Sequence, residues 1–209
     1  MMLGTIHETN ATSLPVDIYF TRFRTDIDLA NAAKLLEWYA PDSAEKRKLI
    51  LYNDEARNDK IIELTQRLVN TYNKVIVFTD RVHHANIIKD RLSELLPNIF
   101  GIYWWEKHED LYAALAPLDK YVLVCTRHAA GEWFNVPALT AWISCLNTSE
   151  YRVVRQMIWR VRRFAPGKDK GIWLDFYDTV SIAWGKKKYM DFPKRKKMYD
   201  ELWFNVSEF

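Results

Sequence analysis

The chain has 209 residues, is 49% hydrophobic and 27% charged, and carries a net charge of only +3. Those values fit one globular domain with a real core and exclude a disordered chain or a global polycation. Its aromatic load is heavy, with nine tryptophans, eleven tyrosines and ten phenylalanines, and large aromatics of that kind favour interfaces as well as cores.

Residues 1–14 are mixed and polar and read as an arm or linker, so the domain is placed at residues 15–209. Alternation over 16–24 (VDIYFTRFR) predicts a strand. Residues 29–39 have helical spacing ahead of Pro41. Residues 53–72 form a second helical segment, capped by Asp54, with Ile61, Ile62, Leu64, Leu68 and Val69 on its apolar face. From there strand and helix alternate: KVIVFT at 74–79, a helix over 81–96, a strand over 98–104, a short helix over 109–116, KYVLVCT at 120–126 and LTAWISC at 139–145. The arginine-rich helix begins after Ser149, which can cap it, and a strand (GIWLDF, 171–176), a lysine-rich helix and a closing edge strand over 203–208 complete the order. Short continuous apolar runs are the mark of strands buried on both faces. The expected fold is therefore α/β, an open, mainly parallel sheet flanked by helices on both faces, with ligands beyond the carboxyl ends of the strands.

Residues 151–163, YRVVRQMIWRVRR, hold five arginines and one glutamine. Gln156, Arg160 and Arg163 fall at i, i+4 and i+7 and would share one helix face. Val153, Val154, Met157, Ile158 and Val161 supply the opposite, apolar side. Guanidinium forks suit phosphate oxygens, although a solvated basic face reads the same way. Further basic runs stand at 186–188 and 194–197. No phosphate loop, no glycine-rich dinucleotide fingerprint and no metal-ligand spacing is present, and there are only six glycines. His83 and His84 are adjacent and would face different ways on a helix. At least one of Trp104 and Trp105 is expected in the core. Cys125 and Cys145 sit in apolar runs and read as buried free thiols. With no apolar stretch long enough for a bilayer, the chain reads as soluble and intracellular.

Taken in order, KVIVFTDRVHHA, YVLVCTRHAAGEWFNVPAL, RQMIWRVRR and GKDKGIWLDFYD resemble the second, RecA-like lobe of superfamily 2 helicases, of the viral, phage and repair type. YNDEARNDKII resembles the helix that opens that lobe, and residues 1–14 resemble the linker from the first lobe. The resemblance implies that Phe78, Thr79 and Arg81 lie beside a nucleic-acid backbone, with Thr126 and its neighbour Arg127. It implies that Glu132 and Asn135 stand near an ATP ribose, and that Gln156, Arg160 and Arg163 face a γ-phosphate bound by the first lobe. ATP and Mg2+ would be held mainly by a partner polypeptide carrying that first lobe, with DNA as the other partner. The chain departs from the family at Trp133 and Trp159, which replace glycines, and at Asn135, which replaces an aspartate. Three readings follow: one half of a split helicase supplying arginine fingers, a non-catalytic helicase-like module that binds nucleic acid or protein, or a globular α/β domain whose arginine helix is merely surface.

Overall fold

The computed structural model describes residues 13–25, 44–103, 109–129, 136, 138–181 and 187–209. The expected helix over 29–39, Trp104–Trp105, Glu132, Trp133 and Asn135 lie outside the described residues.

The strands are β1 (Val16–Thr25), β2 (Lys74–Thr79), β3 (Ile99–Ile102), β4 (Tyr121–Thr126), β5 (Ala141–Ser144), β6 (Gly171–Ser181), β7 (Lys187–Tyr189) and β8 (Val206–Glu208). The helices are α1 (Ala44–Asn53), α2 (Glu55–Tyr72), α3 (Val82–Ser93), α4 (Glu109–Leu115), α5 (Tyr151–Val161) and α6 (Phe192–Glu201). Seven strands run in parallel in the order β3-β4-β2-β5-β6-β1-β8, and β7 pairs antiparallel with β6.

Alternate residues of each strand feed two cores. Val75, Val77, Val122, Val124, Ile143 and Leu174 face α2 and α3. Ile76, Phe78, Leu123, Trp142 and Trp173 face α5 and α6. Covering on both sides explains why the inner strands read as unbroken apolar runs. A third, small cluster seats Ile50, Leu51 and Tyr52 of α1 against Val180 and Met190.

Asp54 caps α2 as expected, its carboxylate accepting from the Arg57 N–H. Four expectations shift. Ser149 does not cap α5: Glu150 is the cap residue and has no side-chain cap bond, while the Thr148 hydroxyl accepts from the Glu150 N–H at 3.2 Å. The helix ends at Val161, so Arg163 lies beyond it, in a bridge with Ser13, rather than on the face of Gln156 and Arg160. β6 runs to Ser181 because β1 stays in register beside it from Gly171 to Val180. The closing strand starts only at Val206: Trp203 adopts φ 60° after α6, which redirects the chain before it can pair.

Candidate functional site

The carboxyl ends of β2 and β4 open into a groove of about 500 Å³. Its walls include Tyr52 from α1, the Asp80–Arg81 turn, His83 from α3, Tyr103, Thr126 and His128. Thr79 and Thr126 stand opposite one another in register. Both side chains are buried and internally used. The Thr79 hydroxyl donates to the Arg81 carbonyl at 3.0 Å, and the Thr126 hydroxyl donates to the Tyr103 carbonyl at 2.9 Å while accepting from Ala129 N–H. Their role is to shape the turns, not to offer free hydroxyls. Phe78 is 0% exposed and packs its ring 5.0 Å from Trp142, so its side chain belongs to the core and not to a ligand surface. Arg81, by contrast, is exposed at the first position before α3, with its guanidinium against Glu45.

Beneath the groove lies a buried polar network that the sequence reading missed. Arg57 donates from Nε and Nη2 to the two carboxylate oxygens of Asp178, each at 2.9 Å, with both side chains buried. Its guanidinium also lies 4.8 Å from the Phe176 ring centroid. Asn58 donates to the Tyr52 carbonyl, and its Oδ1 lies 3.0 Å from His84 Nε2, which must therefore carry the proton. Tyr52 stacks on His84 at 4.8 Å and donates its hydroxyl to Asp80 Oδ2 at 2.8 Å. Burial, with Arg57 and His83 nearby, holds the His84 imidazole well below its ordinary value and so neutral. Burial and the Asp80 carboxylate push the Tyr52 phenol up. The signal for this network was phase: Arg57 and Asn58 precede Ile61 and Ile62 on the apolar stripe of α2, where solvated residues do not belong.

A second network braces α5. Arg195 donates to Asp175 through Nε (2.7 Å) and Nη2 (3.0 Å), to the Phe176 carbonyl at 3.2 Å and to the Thr148 carbonyl at 3.1 Å. Tyr199 donates to Asp175 at 2.8 Å, and Trp173 donates to Tyr199 at 3.1 Å. Arg195 thus leaves the basic run it was read in: it is buried on the face of α6 with Phe192 and Tyr199. At the far end of α5, Lys168 Nζ donates to the Leu139 and Val161 carbonyls, each at 2.7 Å. Burial lowers the Lys168 ammonium to about 8. Arg162 donates to the Leu14 carbonyl and the Ser13 hydroxyl, and lies 4.7 Å over the Trp159 ring.

Held in this way, α5 buries Val154, Met157, Ile158 and Val161, with Val153 partly buried, as its spacing predicts. Gln156 is exposed and Arg160 half-buried. Arg163 is exposed and leaves the helix axis. Arg127 ties the two regions together: its N–H donates to the Thr79 carbonyl at 2.9 Å, and its guanidinium lies 3.4 Å from Glu150, the cap residue of α5. His83 and His84 face different ways: the first is exposed, the second buried in the groove wall. Both cysteines are free and buried, and burial pushes the Cys125 thiol up and the Cys145 thiol up to about 12. Among the described residues no group of three or more His, Cys, Asp or Glu could hold a metal ion, and no helix is long and apolar enough to cross a membrane.

This parallel sheet with helices on both faces shares its fold with RecA-like C-terminal lobes of helicases among solved structures. Among solved structures, T4 UvsW matches over 95% of this chain with a TM-score of 0.67 at 18% identity, and the chain spans 42% of that protein. The C-terminal domain of the DEAD-box protein Dbp5 matches 94% of this chain and 90% of its own, with a TM-score of 0.59 at 13% identity. Domain 2 of the DEAD-box helicase Mss116p, solved bound to an RNA duplex, matches 92% of this chain and 63% of its own, with a TM-score of 0.51 at 12% identity. At such identities the likeness is one of fold. No protein-family model matches the sequence, and no curated protein matches it.

Proposed function

We propose that this chain is the second lobe of a split superfamily 2 translocase, working with a separate polypeptide that carries the first lobe. In this reading Arg160 on α5 and Arg163, just past its end, reach the γ-phosphate of an ATP bound by the first lobe, with Gln156 on the helix face of Arg160. Guanidinium groups there stabilise charge on the transferring phosphoryl group, an effect worth ~10³-fold or more in rate. Glu132 and Asn135 serve the ribose side. The Asp80–Arg81 turn, Thr126 and Arg127 follow a DNA backbone, the threonines through the turns they shape. ATP and Mg2+ are held mainly by the first lobe; the side chains of α5 fit only the phosphate end, since guanidinium donors match phosphate oxygens.

The observation that carries the reading is the bracing of α5. Arg195 holds the Thr148 carbonyl just before it, and Lys168 and Arg162 hold its end. Side chains that act across an interface need supports of this kind on a rigid element. The Arg127–Glu150 contact also gives the groove a direct link to that helix. Nucleic-acid contact is supported by the matching lobe of Mss116p, which was solved on an RNA duplex.

The experiment is affinity capture of the tagged chain from its native source, followed by ATPase assay of the recovered complex with single-stranded DNA. The expected result is a partner with a phosphate loop and DNA-stimulated turnover that is lost in Arg160→Ala and Arg163→Ala while DNA binding persists. A chain recovered without an ATPase partner, whose arginine variants instead lose DNA binding, would overturn the split motor in favour of a non-catalytic binding module. The observation that favours this second reading is Trp159, which stands at the position of the family's glycine, 37% exposed, and would crowd an approaching lobe.

A further inference from the structure

The groove at the carboxyl edge of β2 and β4 is closed on one side by α1, which contributes Leu49, Tyr52 and Asn53 to its wall. Two side-chain contacts fasten α1 to the Asp80–Arg81 turn. Tyr52 donates its hydroxyl to Asp80 Oδ2 at 2.8 Å, and Arg81 Nη2 donates to Glu45 Oε2 at 2.5 Å. The two contacts differ in kind. Tyr52 is buried and stacked on His84, so the first is a fixed part of the wall. Arg81 and Glu45 are 51% and 39% exposed, so the second sits at the groove mouth within reach of solvent and solute.

The chemistry of the second contact is that of a phosphate site already filled. A carboxylate offers a guanidinium two oxygens in a plane, much as a phosphodiester offers its two non-bridging oxygens. The other groups lining this part of the groove, His83 and His128, can each donate to an anion, and Asp80 is the only carboxylate among the described lining residues. Glu45 is also easy to release. It lies in the first turn of α1, where the helix dipole favours a negative charge, and Lys48 Nζ, 3.4 Å from its Oε1, stays with it when Arg81 leaves.

We propose that Glu45 holds the place of a backbone phosphate on Arg81 in the free chain, and that a nucleic-acid strand enters the groove by exchanging one of its phosphodiesters for that carboxylate. The inference rests on the nucleic-acid reading of the groove given above and adds its regulation. α1 then acts as a weak, self-competing strap: only a polyanion that can replace Glu45 gains full contact with Arg81.

The test is fluorescence anisotropy with a short labelled oligothymidylate on the full chain and on Glu45→Gln, Arg81→Ala and the double variant. Arg81 is exposed and Glu45 half-exposed, and thermal melts by circular dichroism check that each variant is folded. Glu45→Gln is expected to tighten binding about two- to fivefold, the range of an exposed ion pair. Arg81→Ala is expected to weaken binding and to reduce the slope of log K against log salt by about one phosphate's worth. The double variant is expected to bind like Arg81→Ala, because Glu45 competes only for that guanidinium. Equal tightening by Glu45→Gln in both backgrounds would mean a general charge effect and would overturn the exchange. No tightening, with Arg81→Ala still weakened, would overturn it while leaving the groove as a nucleic-acid site. An Arg81→Ala variant that binds like wild type would remove the groove reading and this inference with it.

Discussion

Replacing Arg195 by methionine should be among the most damaging single changes in the chain. The guanidinium is 1% exposed and makes four hydrogen bonds, two to Asp175 and one each to the Phe176 and Thr148 carbonyls. Methionine fills much of the space but leaves the Asp175 carboxylate buried with only the Tyr199 hydroxyl and the Phe176 N–H, each at 2.8 Å. Breaking a buried pair from one side costs about 3–5 kcal/mol, because the remaining charge is uncompensated. In a domain of this size each kcal/mol moves Tm by about 2–4 °C, so the loss is on the order of 10 °C. Urea unfolding followed by circular dichroism at neutral pH measures it, with Asp175→Asn and the double variant completing a cycle. The double variant should be less destabilised than the two singles together, since it removes both members of the pair. A loss below about 1 kcal/mol for Arg195→Met, or strict additivity, would refute the reasoning, given the magnitudes expected for a coupled buried pair.

Other consequences are open to measurement. His84 is neutral in the fold, its value held well below the ordinary 6.5, so on acidification the unfolded chain takes up a proton that the folded chain refuses. Stability should therefore fall as pH drops through that ordinary value, and His84→Gln should flatten this part of the urea-midpoint profile between pH 7.5 and 5.5. Gly171 opens β6 directly under the end of α5: a Cβ there would collide with the Val161 side chain and lie 2.7 Å from the Val161 carbonyl oxygen. Gly171→Ala should cost about 1–3 kcal/mol by overpacking, read from thermal melts. Lys168→Met leaves the Leu139 and Val161 carbonyls without their shared donor. About 1–3 kcal/mol should be lost for such buried acceptors, with faster amide exchange at the last turn of α5 as the local readout.

Most element types and their order were legible in the sequence because the inner strands are apolar on both faces and the helices keep an apolar stripe; α1, in a charged segment without such a stripe, and the short strand β7 were not. The different facing of His83 and His84 follows from helical geometry alone. What was not legible depended on partners far along the chain. Nothing local to Asp178 points to Arg57, or local to Asp175 to Arg195; only the phase of each arginine on its helix betrays burial. The same limit explains Thr148. A threonine and a serine stand side by side before the arginine helix, and which one accepts from the Glu150 N–H depends on where Arg195 pins the loop. For the candidate site, motif position brought Arg81, Thr126 and Arg127 to the groove and its edge but did not separate exposed groups from buried ones. Phe78 and Thr79 end a central strand, and residues there point into the layers rather than out of the sheet.

The placing of β1 sets the order in which this domain can be completed. Residues 16–25 pair along their whole length with residues 171–180, and β8 then pairs with β1. As the chain emerges from a ribosome, β2, β3, β4 and β5 can assemble while β1 has neither neighbour. Through most of synthesis its backbone donors and acceptors are an open edge, and strands closed late by distant partners are slow to form and exposed to wrong pairing. Arg22 and Arg24 on that strand place charge along the waiting edge, a known brake on edge-to-edge association. A nascent chain arrested before residue 171 should therefore be sensitive to protease at residues 16–25 while its β2–β5 region is already protected.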